Sequence, residues 1–208
     1  MARQRPVSPR KEPSQRRSRE LVDLIVKATT RVLLKHGYEG CTTNRVAEVA
    51  GVSIGSVYQY FPNKDALVVR VMERHQEKLL GVMTEHLASL KDASLEEAVK
   101  TLVHAMLDAH RIEPKLHRVL REQVPRIGAL KALHEQHSAY EPLVTAWLDA
   151  HREALPVADP AVATWVLIAA VDGVLGRVLV DRPGWLEQQQ LARELERLIV
   201  AYLRGART

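Results

Sequence analysis

Residues 42–67 of this chain read TTNRVAEVAGVSIGSVYQYFPNKDAL. Apolar residues recur at helical spacing on both sides of Gly51, and glycine readily adopts the left-handed backbone of a tight turn. Ser53 can cap the second helical run, Pro62 ends it, and Asn63 can cap the next run. The stretch therefore predicts two short helices joined by a tight turn and followed by a longer helix.

Helical spacing continues on both sides of this stretch. The first helix is predicted from about Ser18 to His36 with a left-handed Gly37 after it, and Thr43 is the predicted N-cap of the second helix. Further capping and breaking residues divide the remainder into helices, and no strand pattern competes. The predicted fold is all-α with about nine helices: an N-terminal three-helix helix-turn-helix domain and a C-terminal helical domain.

A helix-turn-helix lays its second helix in the major groove of DNA, so that helix needs an exposed face of suitable chemistry. Serine and tyrosine hydroxyls can donate to phosphate oxygens, an isoleucine can pack on a thymine methyl group, and a glycine permits close approach. Packing of the tyrosines against neighbouring helices is the alternative. The residues predicted on or near this face are Ser53, Ile54, Gly55, Ser56, Tyr58 and Tyr60.

Two helix starts in the same stretch also suit an anion. Thr43 would place a hydroxyl and free backbone amides where a phosphate could bind. Lys64 is predicted in the first turn of a helix, where the helix dipole disfavours a cation by up to about 1 kcal/mol. A DNA phosphate would compensate that cost, although a solvated lysine could also tolerate it.

The segment resembles the DNA-binding domain of the TetR family of bacterial transcriptional regulators over about residues 18–70. The resemblance implies an Ω-shaped homodimer that binds a pseudo-palindromic operator in double-stranded DNA and is released, in the usual case of repression, by a small molecule. Residue 54 lies at a base-reading position that varies in the family. The matching residues are Thr43, Val46, Ala47, Ala50, Gly51, Val52, Ser53, Gly55, Ser56, Tyr58, Tyr60, Phe61 and 63–67, of which Thr43, Ser53, Gly55, Ser56, Tyr58, Tyr60 and Lys64 carry over as DNA contacts.

Positive charge is concentrated near the N-terminus. Residues 1–64 hold 12 basic and 5 acidic residues, or +7, whereas residues 65–208 hold 18 basic and 20 acidic residues, or −2. The imbalance favours contact of the N-terminal third with a polyanion, although a solubilising tail fits the same charges. Residues 1–17 are predicted to be a basic arm, disordered when free, ahead of a DNA-binding domain at 18–63 and a regulatory and dimerisation domain at 64–208.

The C-terminal domain contains a helix, around residues 160–180, that is apolar around most of its circumference. Residues 170–173 resemble the eighth helix through which TetR-family proteins dimerise, although an intrachain core helix is the alternative. Asp172 in this setting needs a partner, which could be an arginine across the interface, a backbone group or water. The predicted interface residues are Trp165, Ile168, Asp172, Leu175, Leu195, Ile199 and Tyr202.

A small-molecule effector would bind among the fourth to seventh helices and move the fourth, which continues from the DNA-binding domain. The candidate pocket residues are Met106, His110, Tyr140 and Trp147, each of which could instead be plain core or surface. Two alternatives stay open. A protein partner could control the regulator in place of a ligand, or the protein could activate transcription.

Several function classes lack support in the sequence. No phosphate loop, dinucleotide fingerprint or nucleophile elbow is present, so neither an enzyme nor a cofactor is expected. Five histidines have spacings that invite a metal, but they lack cysteine partners, and no metal site is predicted: His104, His110, His117, His134 and His137. The single cysteine excludes an internal disulfide. Asp172 and Arg177 are expected to keep the longest apolar run too short to span a membrane, which leaves a cytoplasmic location.

Overall fold

The computed structural model describes residues 16–123 and 141–205, and every structural statement below concerns these residues. Their regular structure is entirely helical and comprises nine α-helices and one 3-10 helix, as predicted. The helices are α1 (Arg16–Gly40), α2 (Thr43–Ala50), α3 (Ile54–Tyr60), α4 (Lys64–Ser89), α5 (Leu95–Ile112), α6 (Pro114–Gln123), α7 (141–150 as described), α8 (Pro160–Asp181), a 3-10 helix (Pro183–Glu187) and α9 (Gln189–Arg204).

The chain divides into two compact units, and the described part of the first comprises residues 16–76 and 115–123. One face each of α1, α2, α3, α4 and α6 contributes to its core. The largest fully buried side chains there include Phe61, Ile25, Leu33 and Leu67. The unit extends along α4 beyond residue 63, where the sequence predicts the end of the DNA-binding domain.

Local sequence accounts for the ends of the short helices. Gly51 ends α2 with φ 67° and ψ 33°, the left-handed conformation that glycine adopts without a Cβ clash. The Ser53 hydroxyl accepts a hydrogen bond from the Ser56 amide and caps α3, as predicted. The N-cap of α2 is Thr42 and not Thr43, because the Thr42 side chain accepts from the Arg45 amide at 3.2 Å. Thr43 is instead the first residue of that helix.

Two buried histidines join α4 to α6 inside this unit. His75 Nε2 lies 3.1 Å from His117 Nδ1 and 2.9 Å from His117 Nε2. The rings meet edge to face with their centroids 4.0 Å apart, and both residues are less than a tenth exposed. A hydrogen bond between the two rings satisfies polar atoms that burial would otherwise leave without water.

The second unit comprises residues 77–114 and, in its described part, 141–205. One core cluster is built from α5, α8, the 3-10 helix and α9, and another contains Leu148, Leu155, Ala163, Leu167 and Leu203. The predicted capping box at the start of α5 is present, since Ser94 and Glu97 bond each other's backbone amides. Hydrogen bonds from Ser94 also lower the pKa of the Glu97 carboxyl. Asp159 caps α8 and Pro160 opens it, also as predicted.

One described helix, α8, is long and apolar enough to cross a membrane by its length and composition. The expectation that Asp172 and Arg177 keep this run too short is therefore wrong, because both charges are accommodated within a continuous helix of 22 residues. Leu175, Val178 and Leu179 on the same helix are buried in the core cluster shared with α5 and α9. An intramolecular core thus accounts for part of its apolar surface.

Candidate nucleic-acid interface

The exposed face of α3 carries most of the residues predicted to read DNA. Ser53 and Gly55 are exposed, as are Ile54 and Tyr58, whose exposed fractions are 37% and 42%. Ser56 is partly buried, and its hydroxyl lies 2.8 Å from that of Ser53. Ile54, Gly55 and Tyr58 therefore share the exposed side of a short helix, and Ser53 lies at its start.

Gly55 is not required by the internal packing of this unit. A Cβ atom built on it would meet only the Ser53 hydroxyl oxygen, at 3.7 Å, which is ordinary van der Waals contact. Its backbone also lies inside α3, so it needs no left-handed conformation. The glycine therefore leaves open space on the outer face, which suits close approach of another molecule.

Tyr60 departs from the predicted arrangement. It is only 4% exposed and belongs to the core of the first unit beside Phe61. Helical geometry explains the difference, since Tyr60 follows Val57 and Ser56 by three and four residues and shares their inward side. The structure therefore places the Tyr60 ring in the core and not on the reading face. Gln59, absent from the predicted set, is exposed on that face beside Tyr58.

The starts of α2 and α4 lie in the same unit as this surface. The Thr43 hydroxyl lies 3.1 Å from the Tyr58 hydroxyl, so the start of α2 and the face of α3 share a polar contact. Lys64 opens α4, whose N-terminus is capped by Asn63 through a 2.9 Å bond from the Ala66 amide. The Lys64 ammonium nitrogen lies 3.9 Å from the centroid of the Tyr38 ring.

The single cysteine lies in the same unit and is fully buried. Burial raises the pKa of the Cys41 thiol to about 11, although the nearby charges of Lys64 and Arg45 act in the opposite direction. A thiol with so high a pKa stays protonated and unreactive near neutral pH. The residue therefore acts as a small core side chain.

The predicted pocket residues do not gather in one cluster. Met106 packs against the α5, α8 and α9 core, and His110 Nδ1 lies 2.8 Å from the Met106 carbonyl oxygen within the same helix. Trp147 packs against the cluster around Leu148, and its indole donates to the Leu90 carbonyl at 3.0 Å. Tyr140 lies outside the described residues. Sequence spacing could not reveal this separation, which depends on tertiary packing.

The predicted interface residues separate into two groups. Trp165 and Tyr202 are exposed by 63% and 42%, and Ile168, Asp172 and Ile199 are partly buried. The structure places the other two, Leu175 and Leu195, in the core of the chain, each with 2% exposure, and not on its free face. For Leu175 the reason is that α8 is apolar on several sides, so its sequence does not distinguish an intrachain face from an exposed one. Leu195 lies on α9, whose apolar side packs in the same core cluster within the chain.

The described histidines among those considered for metal binding have other contacts. His104 Nε2 lies 3.2 Å from a Glu196 carboxylate oxygen, and His117 meets His75. Among residues 16–123 and 141–205, no three His, Cys, Asp or Glu side chains gather into a potential metal cluster. His134 and His137 lie outside these ranges.

Two family models match the chain. One, described as "Bacterial regulatory proteins, tetR family", matches residues 25–71, which include the helix-turn-helix. The other, described as "Tetracyclin repressor-like, C-terminal domain", matches residues 94–203, more than half of the chain. The chain belongs to the TetR family. It is a TetR-family transcriptional regulator, and the helix-turn-helix of α2 and α3 lies within the residues matched by the first of these models.

The chain is also similar to individual known proteins. The nucleoid occlusion factor SlmA of Actinobacillus pleuropneumoniae is 30% identical over 84 residues, which span 40% of this chain and 41% of SlmA. The chain thus matches about two-fifths of the length of that relative. Its fold is similar to that of a TetR-family regulator from Mesorhizobium loti, with a TM-score of 0.76, 19% identity and coverage of 91% and 98% of the two chains.

A second structure similar to this chain was solved with a ligand. The transcriptional regulator FadR of Bacillus subtilis, in complex with stearoyl-CoA, aligns with a TM-score of 0.67 and 16% identity. The alignment covers 86% of this chain and 98% of FadR. At this level of identity, the similarity establishes a common fold.

Proposed function

We propose that this regulator is a homodimeric repressor that binds a pseudo-palindromic operator and is released by a small molecule. The observation that carries the DNA-binding part is the exposed face of α3. There Ile54, Gly55 and Tyr58 face outward, and nothing in the internal packing requires the glycine. Side chains of this kind can contact base edges, while the hydroxyls of Ser53 and Thr43 can contact phosphates.

Homodimerisation is supported by an exposed apolar stripe along α8. Its first four members recur at spacings of three and four residues, which is the period of one helix face, and the last member follows two turns later on the same face. A Cβ atom at Gly173 in this stripe would meet nothing within 4 Å, so the glycine leaves room for a closely packed partner helix. Exposed Leu198 and Tyr202 extend the apolar surface onto α9. The stripe on α8 consists of Val162, Trp165, Ala169, Gly173 and Val180.

Each copy of a two-fold symmetric dimer would present one α3 helix to DNA. Such a dimer reads two half-sites in inverted orientation, and the separation of the half-sites follows from the separation of the two reading helices. Dimerisation is therefore what makes the proposed operator pseudo-palindromic.

Release by an effector is supported by family membership and by the path of α4. This helix contributes residues 64–76 to the first unit and 77–89 to the second. A ligand in the second unit that favours one position of α4 would change the population of DNA-binding conformations. The stearoyl-CoA complex of FadR shows that protein binding a small molecule. Met106, His110, Trp147 and Tyr140 remain candidate contacts, divided between separate clusters.

Binding, and not catalysis, is the activity proposed for the whole chain. We assign residues 18–63 to DNA binding and 64–208 to regulation and dimerisation, and we propose a cytoplasmic location, where an operator is accessible. Repression is proposed because it is the usual mode of action in the family.

The test combines genomic DNA binding with transcription. Purified protein would be mixed with fragmented genomic DNA of the source organism, and the retained fragments would be sequenced. Deletion of the gene should raise transcription next to those fragments, and the deleted strain should no longer respond to the effector. Lower transcription after deletion would show an activator. If no metabolite extract releases the protein from the retained fragments, control by a protein partner would be favoured.

A further inference from the structure

The ammonium group of Lys64 lies between an aromatic ring and a carboxylate. Its nitrogen is 3.9 Å from the centroid of the Tyr38 ring and 3.5 Å from a Glu39 carboxylate oxygen. The Lys64 side chain is 30% exposed, whereas that of Glu39 is 92% exposed. The ring therefore borders the ammonium from the protein side, and the carboxylate contacts it from solvent.

Tyr38 is held in place by the residue that follows Lys64. Its hydroxyl donates a 2.5 Å hydrogen bond to Asp65 Oδ1, and its ring packs against the core of the first unit. Burial, together with this bond to Asp65, raises the pKa of the Tyr38 hydroxyl above its ordinary value. The hydroxyl consequently remains a neutral donor over the physiological range. The Tyr38 ring and hydroxyl are thus both held against the start of α4, one by Lys64 and the other by Asp65.

Gly37 directs Tyr38 and Glu39 toward the start of α4. It has φ 64° and ψ −176°, a conformation that L-residues other than glycine rarely adopt, and it interrupts α1. A Cβ atom there would meet nothing within 4 Å, so the positive φ, and not crowding, is what favours glycine. The kink lets residues 38 and 39 leave the axis of the preceding helix.

The contact of Lys64 with the Tyr38 ring and its ion pair with Glu39 differ in how easily another group can replace them. A cation over an aromatic ring is attracted by the ring quadrupole and needs no solvent-exposed partner. An ion pair with a carboxylate that is almost fully exposed is weak and is screened by salt. Glu39 can therefore give way to another anion, whereas the Tyr38 ring stays beneath the ammonium.

We infer that Tyr38 positions Lys64 for a DNA phosphate and that the Glu39 carboxylate occupies the ammonium in the free protein until the phosphate displaces it. This inference rests on the proposed function, in which Lys64 contacts DNA. Tyr38 is a positioning residue and Glu39 is an internal competitor. Together they set how much of the Lys64 charge is available to DNA.

The test measures operator affinity by fluorescence anisotropy across a salt series for single variants and for the same variants in a Lys64→Ala background. Glu39→Gln should tighten binding by about two- to fivefold at low salt, because an exposed ion pair no longer competes, and the gain should shrink as salt rises. Tyr38→Leu should weaken binding by about two- to fivefold, and Tyr38→Phe, which keeps the ring, should weaken it less. Both effects should disappear in the Lys64→Ala background.

The background variant separates a specific effect from a general one. If Glu39→Gln tightens binding equally with and without Lys64, the carboxylate acts only as a negative charge near DNA, and the inference is wrong. The same holds for Tyr38→Leu if its loss of affinity persists without Lys64, since the substitution would then act through the stability of the unit. Urea unfolding of each variant measures that stability directly.

The same measurements distinguish failure of the proposed function from failure of the inference about Tyr38 and Glu39. If the wild-type protein retains no DNA, both the function and the inference are overturned. If wild-type protein binds an operator but Lys64→Ala binds it equally well, only the role of Lys64 and the inference built on it are overturned.

Discussion

The hydroxyl of Thr43, in the first turn of α2, lies 3.1 Å from the hydroxyl of Tyr58 on the exposed face of α3. Both hydroxyls border solvent, so neither is needed to satisfy a buried polar group. The contact orients two potential phosphate donors toward the same side of the helix-turn-helix. While the two hydroxyls bond each other, one of their two protons is used in that bond, so a DNA phosphate could accept a hydrogen bond from the other hydroxyl.

Removal of the Tyr58 hydroxyl should weaken DNA binding without weakening the fold. Tyr58→Phe is expected to lose about 0.5–1.5 kcal/mol of binding free energy, the typical net value of one hydrogen bond. Tyr58→Ala should lose more, because the ring contact disappears as well. Anisotropy titration measures the affinity, and thermal unfolding is the control. A Tyr58→Phe protein that unfolds at lower temperature yet binds DNA normally would assign the hydroxyl to structure alone.

Gly55→Ala should lower the affinity for DNA while leaving the stability of the fold unchanged or higher. The site has room for a Cβ atom, and alanine favours helix, so the variant should be as stable as the wild type or more stable by up to about 1 kcal/mol. Affinity for the operator should fall, because the methyl group faces the groove. Gly81→Ala is a matched control, since it too is helical with open space around its Cβ. Unchanged affinity in Gly55→Ala would argue against close backbone approach.

The His75 and His117 pair should behave as one unit in unfolding experiments. Either His75→Leu or His117→Leu should destabilise the protein by about 1–3 kcal/mol, because the remaining imidazole loses a partner while still buried. The double variant should cost less than the sum of the two, since the contact between the two rings can be lost only once. Urea denaturation of the four proteins gives the coupling. Strict additivity would show that the 2.9–3.1 Å contacts contribute nothing.

Enlarging Gly173 should block dimerisation while preserving the folded chain. The leucine side chain of Gly173→Leu would extend from the exposed stripe of α8 into open space. Only a second copy of the chain would then clash with it. Sedimentation velocity should show monomers for this variant and dimers for the wild type. Ala146→Leu, at another exposed helical position, is the control and should stay dimeric. A dimeric Gly173→Leu protein would place the interface elsewhere.

The buried thiol makes a prediction about alkaline pH. Its folded pKa of about 11 exceeds the ordinary value of 9.0, so the stability it contributes is fully present below pH 9. Between pH 9 and 11 only the unfolded thiol ionises, and stability should fall by up to about 1.4 kcal/mol per pH unit. Cys41→Ala should lose less stability across this window, as measured by urea unfolding at successive pH values. Equal slopes for the two proteins would contradict a protonated buried thiol.

Local signals in the sequence predict the helices well. The spacing around Gly51 and Ser53 defines α2 and α3, and the Ser94–Glu97 box defines the start of α5, because each depends on residues only a few positions apart. The shift of the α2 cap from Thr43 to Thr42 is an ambiguity of one residue between two threonines. Turn chemistry alone cannot resolve it.

Faces and partners that depend on tertiary packing are predicted less well. Tyr60 has a side chain suited to contacting DNA, but it lies on the inward side of α3. Leu175 looks like the rest of α8, although α5 and α9 cover it within the same chain. His75 and His117 are 42 residues apart, so no local pattern joins them. The pairing of Tyr38 with Lys64 escapes sequence analysis for the same reason.

The most direct test of sequence-specific DNA binding by a dimer is selection from a pool of random DNA duplexes, with sequencing of the retained molecules. We expect an enriched inverted repeat whose half-sites lose enrichment in Tyr58→Ala. We also expect that Lys64→Ala weakens binding to all sequences similarly and lowers the salt slope by about one unit. Recovery of no motif, with binding that vanishes at moderate salt, would contradict sequence-specific binding and leave only nonspecific attraction to the basic N-terminal residues.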